Sequence, residues 1–92
     1  MLNQFIKVMK VFVVTACEYW RNYRGEQGSL HSVERIFDSE DKAKRFIESF
    51  RKNGVNAQTK DTSDEPERWC RLTDRTSGEF KLDVWYNEME VE

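Results

Sequence analysis

Met9-Lys10-Val11-Phe12-Val13-Val14-Thr15 is the strongest strand signal in the chain, almost entirely β-branched or aromatic. It is apolar on both alternating sets of positions, so both of its faces are expected to be covered, which places it in the centre of a sheet. The pattern continues through Cys17, Tyr19 and Tyr23 to a turn at Arg24-Gly25-Glu26-Gln27-Gly28-Ser29, where two glycines are free to take positive φ. Leu30 to Phe37 reads as a second strand running back, so residues 10–37 form a long β-hairpin.

The period then changes from two to 3.6. Ala43, Phe46, Ile47 and Phe50 make one apolar stripe at i, i+3, i+4 and i+7. Asp38 or Ser39 can cap this helix, and Asp38 with Asp41 resembles a capping box with Asp in place of Glu. Gly54 supplies a left-handed stop. Acidic-then-basic pairs at i,i+4, Glu40–Lys44, Asp41–Arg45 and Glu48–Lys52, line the opposite face. Val55 to Lys60 reads as a short polar edge strand, followed by an acidic loop from Asp61 to Pro66. Trp69 to Thr73 and Phe80 to Tyr86 are the last two strands, with a turn at residues 74–78; alternation puts Phe80, Leu82, Val84 and Tyr86 together on one face.

The fold class is therefore α+β: an antiparallel sheet of about five strands, in chain order β-β-α-β-β-β, with one amphipathic helix packed on one face. The second face of that sheet has no cover in this reading. Residues 9–87 make a single domain, with residues 88–92 an acidic tail expected to fray. Met9-Lys10 resembles a translation start, which makes residues 1–8 an N-terminal extension, or else Phe5, Ile6 and Val8 lengthen the first strand.

Charge narrows the functional classes. The 15 basic and 17 acidic residues give a net charge of −2, which argues against a protein that coats DNA or an anionic membrane, though not against a local basic patch. Cys17 and Cys70 form no CxxC pair, and two reduced, buried thiols in a cytosol are favoured over a bridge between them. Val14-Thr15-Ala16-Cys17 has the look of a lipobox, but the uncharged run from Val11 to Ala16 is shorter than the ~7–15 apolar residues of a signal peptide. A core strand is the better reading.

Glu18-Tyr19-Trp20-Arg21-Asn22-Tyr23-Arg24 is the most unusual stretch, three aromatics and two arginines beside a hairpin tip. Tyr, Trp and Arg are enriched at binding hot spots, and aromatics with arginine also suit stacking on unpaired bases. The alternative is that the rings fill the end of the core. Trp85 points away from Phe80, Leu82 and Val84, and Trp69 shares the parity of Arg71 and Thr73, so both tryptophans are expected on the face away from the helix, as an interface, often a homodimer, or under the N-terminal extension or a loop. The acidic positions Asp61, Asp64, Glu65 and Glu67 lack calcium-loop spacing. The single histidine, His31, cannot build a zinc site without a CxxC, and a dyad of His31 with Cys17 or Cys70 has no evident orienting group. No phosphate loop, dinucleotide fingerprint or nucleophile elbow occurs, so no cofactor, no metal and no catalytic residue is assigned.

Residues Met9 to Tyr19, and Val33-Glu34-Arg35-Ile36-Phe37-Asp38-Ser39-Glu40-Asp41-Lys42-Ala43 with Phe46-Ile47, resemble small proteins encoded by bacteriophages and prophages. Those open with a strand ending in a Gly-Glu-Tyr-like triplet and enter a helix through Phe-x-Ser-x-Glu-x-Ala. The resemblance covers roughly residues 9–50 and departs at Cys17, where glycine is usual, and in the Tyr19–Leu30 insert. It implies a non-enzymatic phage accessory protein in the cytoplasm of a bacterial host, with a host or phage protein as partner, acting by occluding a host enzyme or defence complex. The leading expectation is accordingly a protein-binding module using Tyr19, Trp20, Arg21, Tyr23, Arg24, Trp69 and Trp85. The alternatives are a small nucleic-acid-binding domain and a homodimeric structural protein.

Overall fold

Five strands and one helix form from the segments that the pattern marks, within residues 9–91, the part of the chain that this computed structural model describes. They are β1 (Met9–Arg21), β2 (Gln27–Phe37), α1 (Glu40–Gly54), β3 (Thr59–Asp61), β4 (Trp69–Asp74) and β5 (Phe80–Val91). All pairings are antiparallel, and the order across the sheet is β2-β1-β5-β4-β3. The last strand therefore enters the middle of the sheet, between the first hairpin and β4. The segment 1–8, expected as an extension or a longer first strand, lies outside the described residues.

The helix crosses one face and closes the core. Phe12, Val14 and Ala16 of β1, Val84 of β5, and Cys70 and Leu72 of β4 point toward α1, which inserts Ala43 and Ile47 among them. Ile47, Val14, Val84 and Cys70 are fully buried. Burying a side chain the size of Ile47 contributes roughly 1.5–3 kcal/mol relative to leaving it in water. Phe37, Phe46 and Phe50 close one side of the core as a run of rings, Phe37 tilted against Phe46 and Phe46 edge-on to Phe50.

Local chemistry sets the element ends. At the hairpin, the Asn22 carboxamide accepts from the backbone of Arg24 and Glu26, and Gly25 takes φ 82°. Ser39 is the N-cap of α1 and its hydroxyl accepts from the Lys42 amide, whereas Asp38 holds the Lys42 ammonium. That contact keeps the Asp38 carboxyl below its usual range. At the other end of the helix, Arg51 reaches Asp61, Glu48 and the carbonyl oxygens of Pro66 and Trp69, tying α1 to the acidic loop. Burial opposes the charge of Asp61, but hydrogen bonds from Ser63, Arg51 and the Arg71 amide outweigh it and hold the carboxyl low.

The structure departs from the sequence expectations in several places. Gly54 is not left-handed; it ends the helix where an added Cβ would overlap the Leu72 side chain, so it serves close approach of α1 to β4. Of the expected helix pairs, Glu40–Lys44 forms, while Arg51 takes Glu48 in place of Lys52. The edge strand β3 begins only at Thr59, because Val55 caps the helix and Asn56 builds a turn that receives the Gln58 and Thr59 amides. Residues 88–91, expected as a tail, continue β5 and pair with Met9 to Phe12. Cys17 and Cys70 are both buried and free; they lie two strands apart, on opposite faces of the sheet.

Candidate functional site

The face of the sheet turned away from α1 is built by the other alternating set. Register places Val11, Val13, Thr15, Cys17 and Tyr19 of β1 beside Met89, Asn87, Trp85 and Asp83 of β5, with Trp69 and Arg71 beyond on β4. On the other side β2 contributes Ile36, Val33 and His31. Among the described residues no element covers this face. Antiparallel sheets with one solvated side normally alternate apolar with polar. Here the solvent side carries valines, isoleucine, methionine and two tryptophans, and Val33 and Ile36 stand 63% and 61% exposed.

Its centre is a hydrogen-bonded network. Asp83, only 6% exposed, accepts from the Tyr19 hydroxyl at 2.7 Å and from Arg71 through Nε and Nη2, both at 2.8 Å. The two parallel Arg71 bonds fix the guanidinium in a plane. It lies 3.9 Å from the centre of the Phe80 ring and 4.8 Å from that of Trp69, so its charge is neutralised at one edge and stacked on aromatic faces. The bond to Asp83 raises the Arg71 pKa further, and the same carboxylate, by holding the phenolic proton, pushes Tyr19 up to about 12. Trp69 and Trp85 are direct cross-strand partners, Trp69 Nε1 donates to Asp64, and the His31 ring meets Trp85 edge-on at 6.1 Å.

Phe80 belongs to this face and not with Leu82, Val84 and Tyr86. A register shift between Leu72 and Thr73 pairs Thr73 with Phe80, and the extra residue reverses its side. An open groove of about 470 Å³ lies at this end, lined by Tyr19, Arg21, Gln27, Ser29, Glu79 and Phe80, among others.

The aromatic segment 18–24 does not act as one surface. Tyr19 joins Trp69 and Trp85 on the open face through Asp83 and Arg71. Trp20 points to the helix side but beyond the helix, where its indole lies over Gly28 and is 50% exposed. Arg21 pairs with Glu79 at 2.8 Å and with Gln27. Tyr23 is 91% exposed at the turn, and Arg24 stacks on its ring. The seven residues singled out by sequence thus divide into a face (Tyr19, Trp69, Trp85) and a tip (Trp20, Arg21, Tyr23, Arg24).

Cys17 and His31 are opposite each other in register, but Cys17 is 3% exposed and no hydrogen bond joins them among the described residues. Cys70 lies on the other face, where burial pushes its thiol up to about 11. Neither cysteine is paired with a base. Among the described residues no His, Cys, Asp and Glu side chains gather as a metal cluster, and no helix is long and apolar enough to cross a membrane. Sequence reasoning missed Asp83, Phe80, Val33 and Ile36 as parts of the open face. A lone Asp flanked by Leu82, Val84 and Trp85 was the available signal, since a carboxylate in such a strand needs a partner. Compared with family models, curated proteins and solved structures, the chain finds no match.

Proposed function

We propose that this chain is a non-enzymatic protein-binding module that docks through the open sheet face. The observation that carries the reading is an apolar, aromatic sheet face whose buried charges already satisfy one another. Such a surface gains free energy when water leaves it, and incurs little desolvation penalty because Asp83 and Arg71 bring their own partners. Trp69, Trp85 and Phe80 are rigid anchors of the kind that concentrate binding energy, and the charged rim sets register. A nucleic-acid role is less well supported. Stacking platforms for single strands need a positive groove for phosphates, whereas the Arg71 charge is consumed by Asp83 and the net charge is −2. The module would act by occlusion, and the likeness of residues 9–50 to phage proteins makes a host enzyme or defence complex the first target class to try.

The test is capture from bacterial lysate with the tagged full chain, with and without nuclease, beside a Val33→Lys/Ile36→Lys variant. Both positions are exposed, so the substitutions leave the core alone. The expected result is a stoichiometric protein that survives nuclease and is lost with the variant. A partner that disappears with nuclease, or one that the variant retains, would refute the reading.

A further inference from the structure

We infer that the open face is filled by a second copy of this chain, packed sheet on sheet. The inference rests on the reading of that face as a docking surface and names its occupant. Three observations make a second copy the occupant of the face while no target is bound.

The first is the pattern of β1. It is apolar on both alternating sets, yet α1 covers only one of them, so Val11, Val13 and Thr15 on the other set stay only partly buried. The second is charge. Within the four strands β2, β1, β5 and β4 the charged side chains at regularly paired positions of the face are Asp83 with Arg71, and Arg21, which pairs with Glu79, so each is answered within one copy; Lys60 lies at the margin, on the edge strand β3. Two identical faces can therefore meet without opposing like charges, although each chain is −2 overall. The third is area. From Val11 to Tyr19 the face runs about 26 Å along β1, and four strands make it about 20 Å wide, given a rise of ~3.3 Å per residue and a strand spacing of ~4.8 Å. That is roughly 500 Å² per copy and about 1,000 Å² for a pair, below the ~1,200–2,000 Å² of stable specific interfaces and at the threshold for a weak, transient one. Two sheets stacked about 10 Å apart, their strands within about 30° of each other, would interdigitate the rows of Trp85, Val33 and Val13 about a two-fold axis. An interface at this threshold is expected to form reversibly, in a concentration-dependent way.

Sedimentation equilibrium of the full chain tests this. The expected result is a mass that rises with concentration from one chain to two. Val33→Lys/Ile36→Lys should weaken the dimer by roughly 100-fold, because four added ammonium groups meet across the two-fold axis. Its far-UV circular dichroism should stay unchanged, and Tyr23→Ala, at the tip, should dimerise as the parent does. A chain that remains monomeric to millimolar concentration would overturn the inference, as would a dimer that the lysines do not weaken. A monomer that still captures a protein, and loses it with the lysine variant, would overturn self-association while leaving the docking reading intact. A monomer that captures nothing would sink both.

Discussion

Breaking the Arg71–Asp83 pair from its two ends should cost unequal amounts. The Asp83 side chain is 9% exposed and that of Arg71 27%. In Asp83→Leu the guanidinium loses its two short bonds but can tilt toward water while still resting on Phe80 and Trp69. Hydrogen bonds to charged groups contribute about 1.5–3 kcal/mol, and solvent recovers part of that, so a net loss of about 2 kcal/mol is expected. In Arg71→Leu the carboxylate stays enclosed with only the Tyr19 hydroxyl to satisfy it. An uncompensated buried charge costs roughly 3–5 kcal/mol, a large share of the ~5–15 kcal/mol that holds a domain together. For a chain of 92 residues each kcal/mol moves the melting temperature by about 4–8 °C, so the two variants should melt well apart. Arg71→Leu/Asp83→Leu removes both charges and should be more stable than Arg71→Leu alone, with a coupling of about 1–3 kcal/mol. Urea unfolding followed by tryptophan fluorescence and circular dichroism, at one fixed protein concentration, measures all three. A larger loss for Asp83→Leu than for Arg71→Leu, or losses that simply add, would refute the burial reasoning.

Three further outcomes follow from the same structure. Tyr86 has its hydroxyl buried without a hydrogen-bond partner among the described residues, so Tyr86→Phe should be neutral or stabilising by up to about 1 kcal/mol in thermal melts, whereas Tyr19→Phe, which loses the bond to Asp83, should destabilise. Gly28→Ala places a Cβ 2.5 Å from the Trp20 ring, so the indole must swing outward; a loss of about 1 kcal/mol and a red-shifted emission are expected, and unchanged fluorescence would contradict the contact. Folding raises Cys70 to about 11 from 9.0 and Tyr19 to about 12 from 10.0, so the folded chain holds both protons more tightly than the unfolded one. Their contribution is complete below pH 9 and is lost as pH rises toward 12, and Tyr19→Phe should flatten the upper part of that fall in pH-dependent unfolding.

The elements that sequence reveals here are those written in local periodicity. The stripe Ala43-Phe46-Ile47-Phe50 gave α1, and the dense β-branched run from Val11 gave β1, because each signal lies within a few residues. The apolar excess of β1 also announced that a second face needed covering. Where β5 inserts was not legible, since the order β2-β1-β5-β4-β3 is decided by pairings between strands far apart in the chain. The Tyr19–Asp83–Arg71 network was hidden for the same reason: it exists only once register sets three strands side by side. Phe80 was assigned to the wrong face because strict alternation cannot foresee the bulge that reverses it. Gly54 was read as a backbone device although its lack of a side chain matters for the approach of Leu72. The two tryptophans were placed correctly by parity alone, as no irregularity separates Trp85 from Val84 or Trp69 from Cys70.

Hydroxyl-radical footprinting of the full chain, read by mass spectrometry residue by residue, tests the central claim most directly. The open face should be where this chain associates. With the chain concentrated, or with its captured partner bound, Trp69, Trp85, Phe80 and Met89 should lose most of their labelling relative to the dilute chain, while Tyr23 and Trp20 at the tip stay reactive. Labelling of the four face residues that stays as high as in the dilute chain, with protection at the tip instead, would contradict the account.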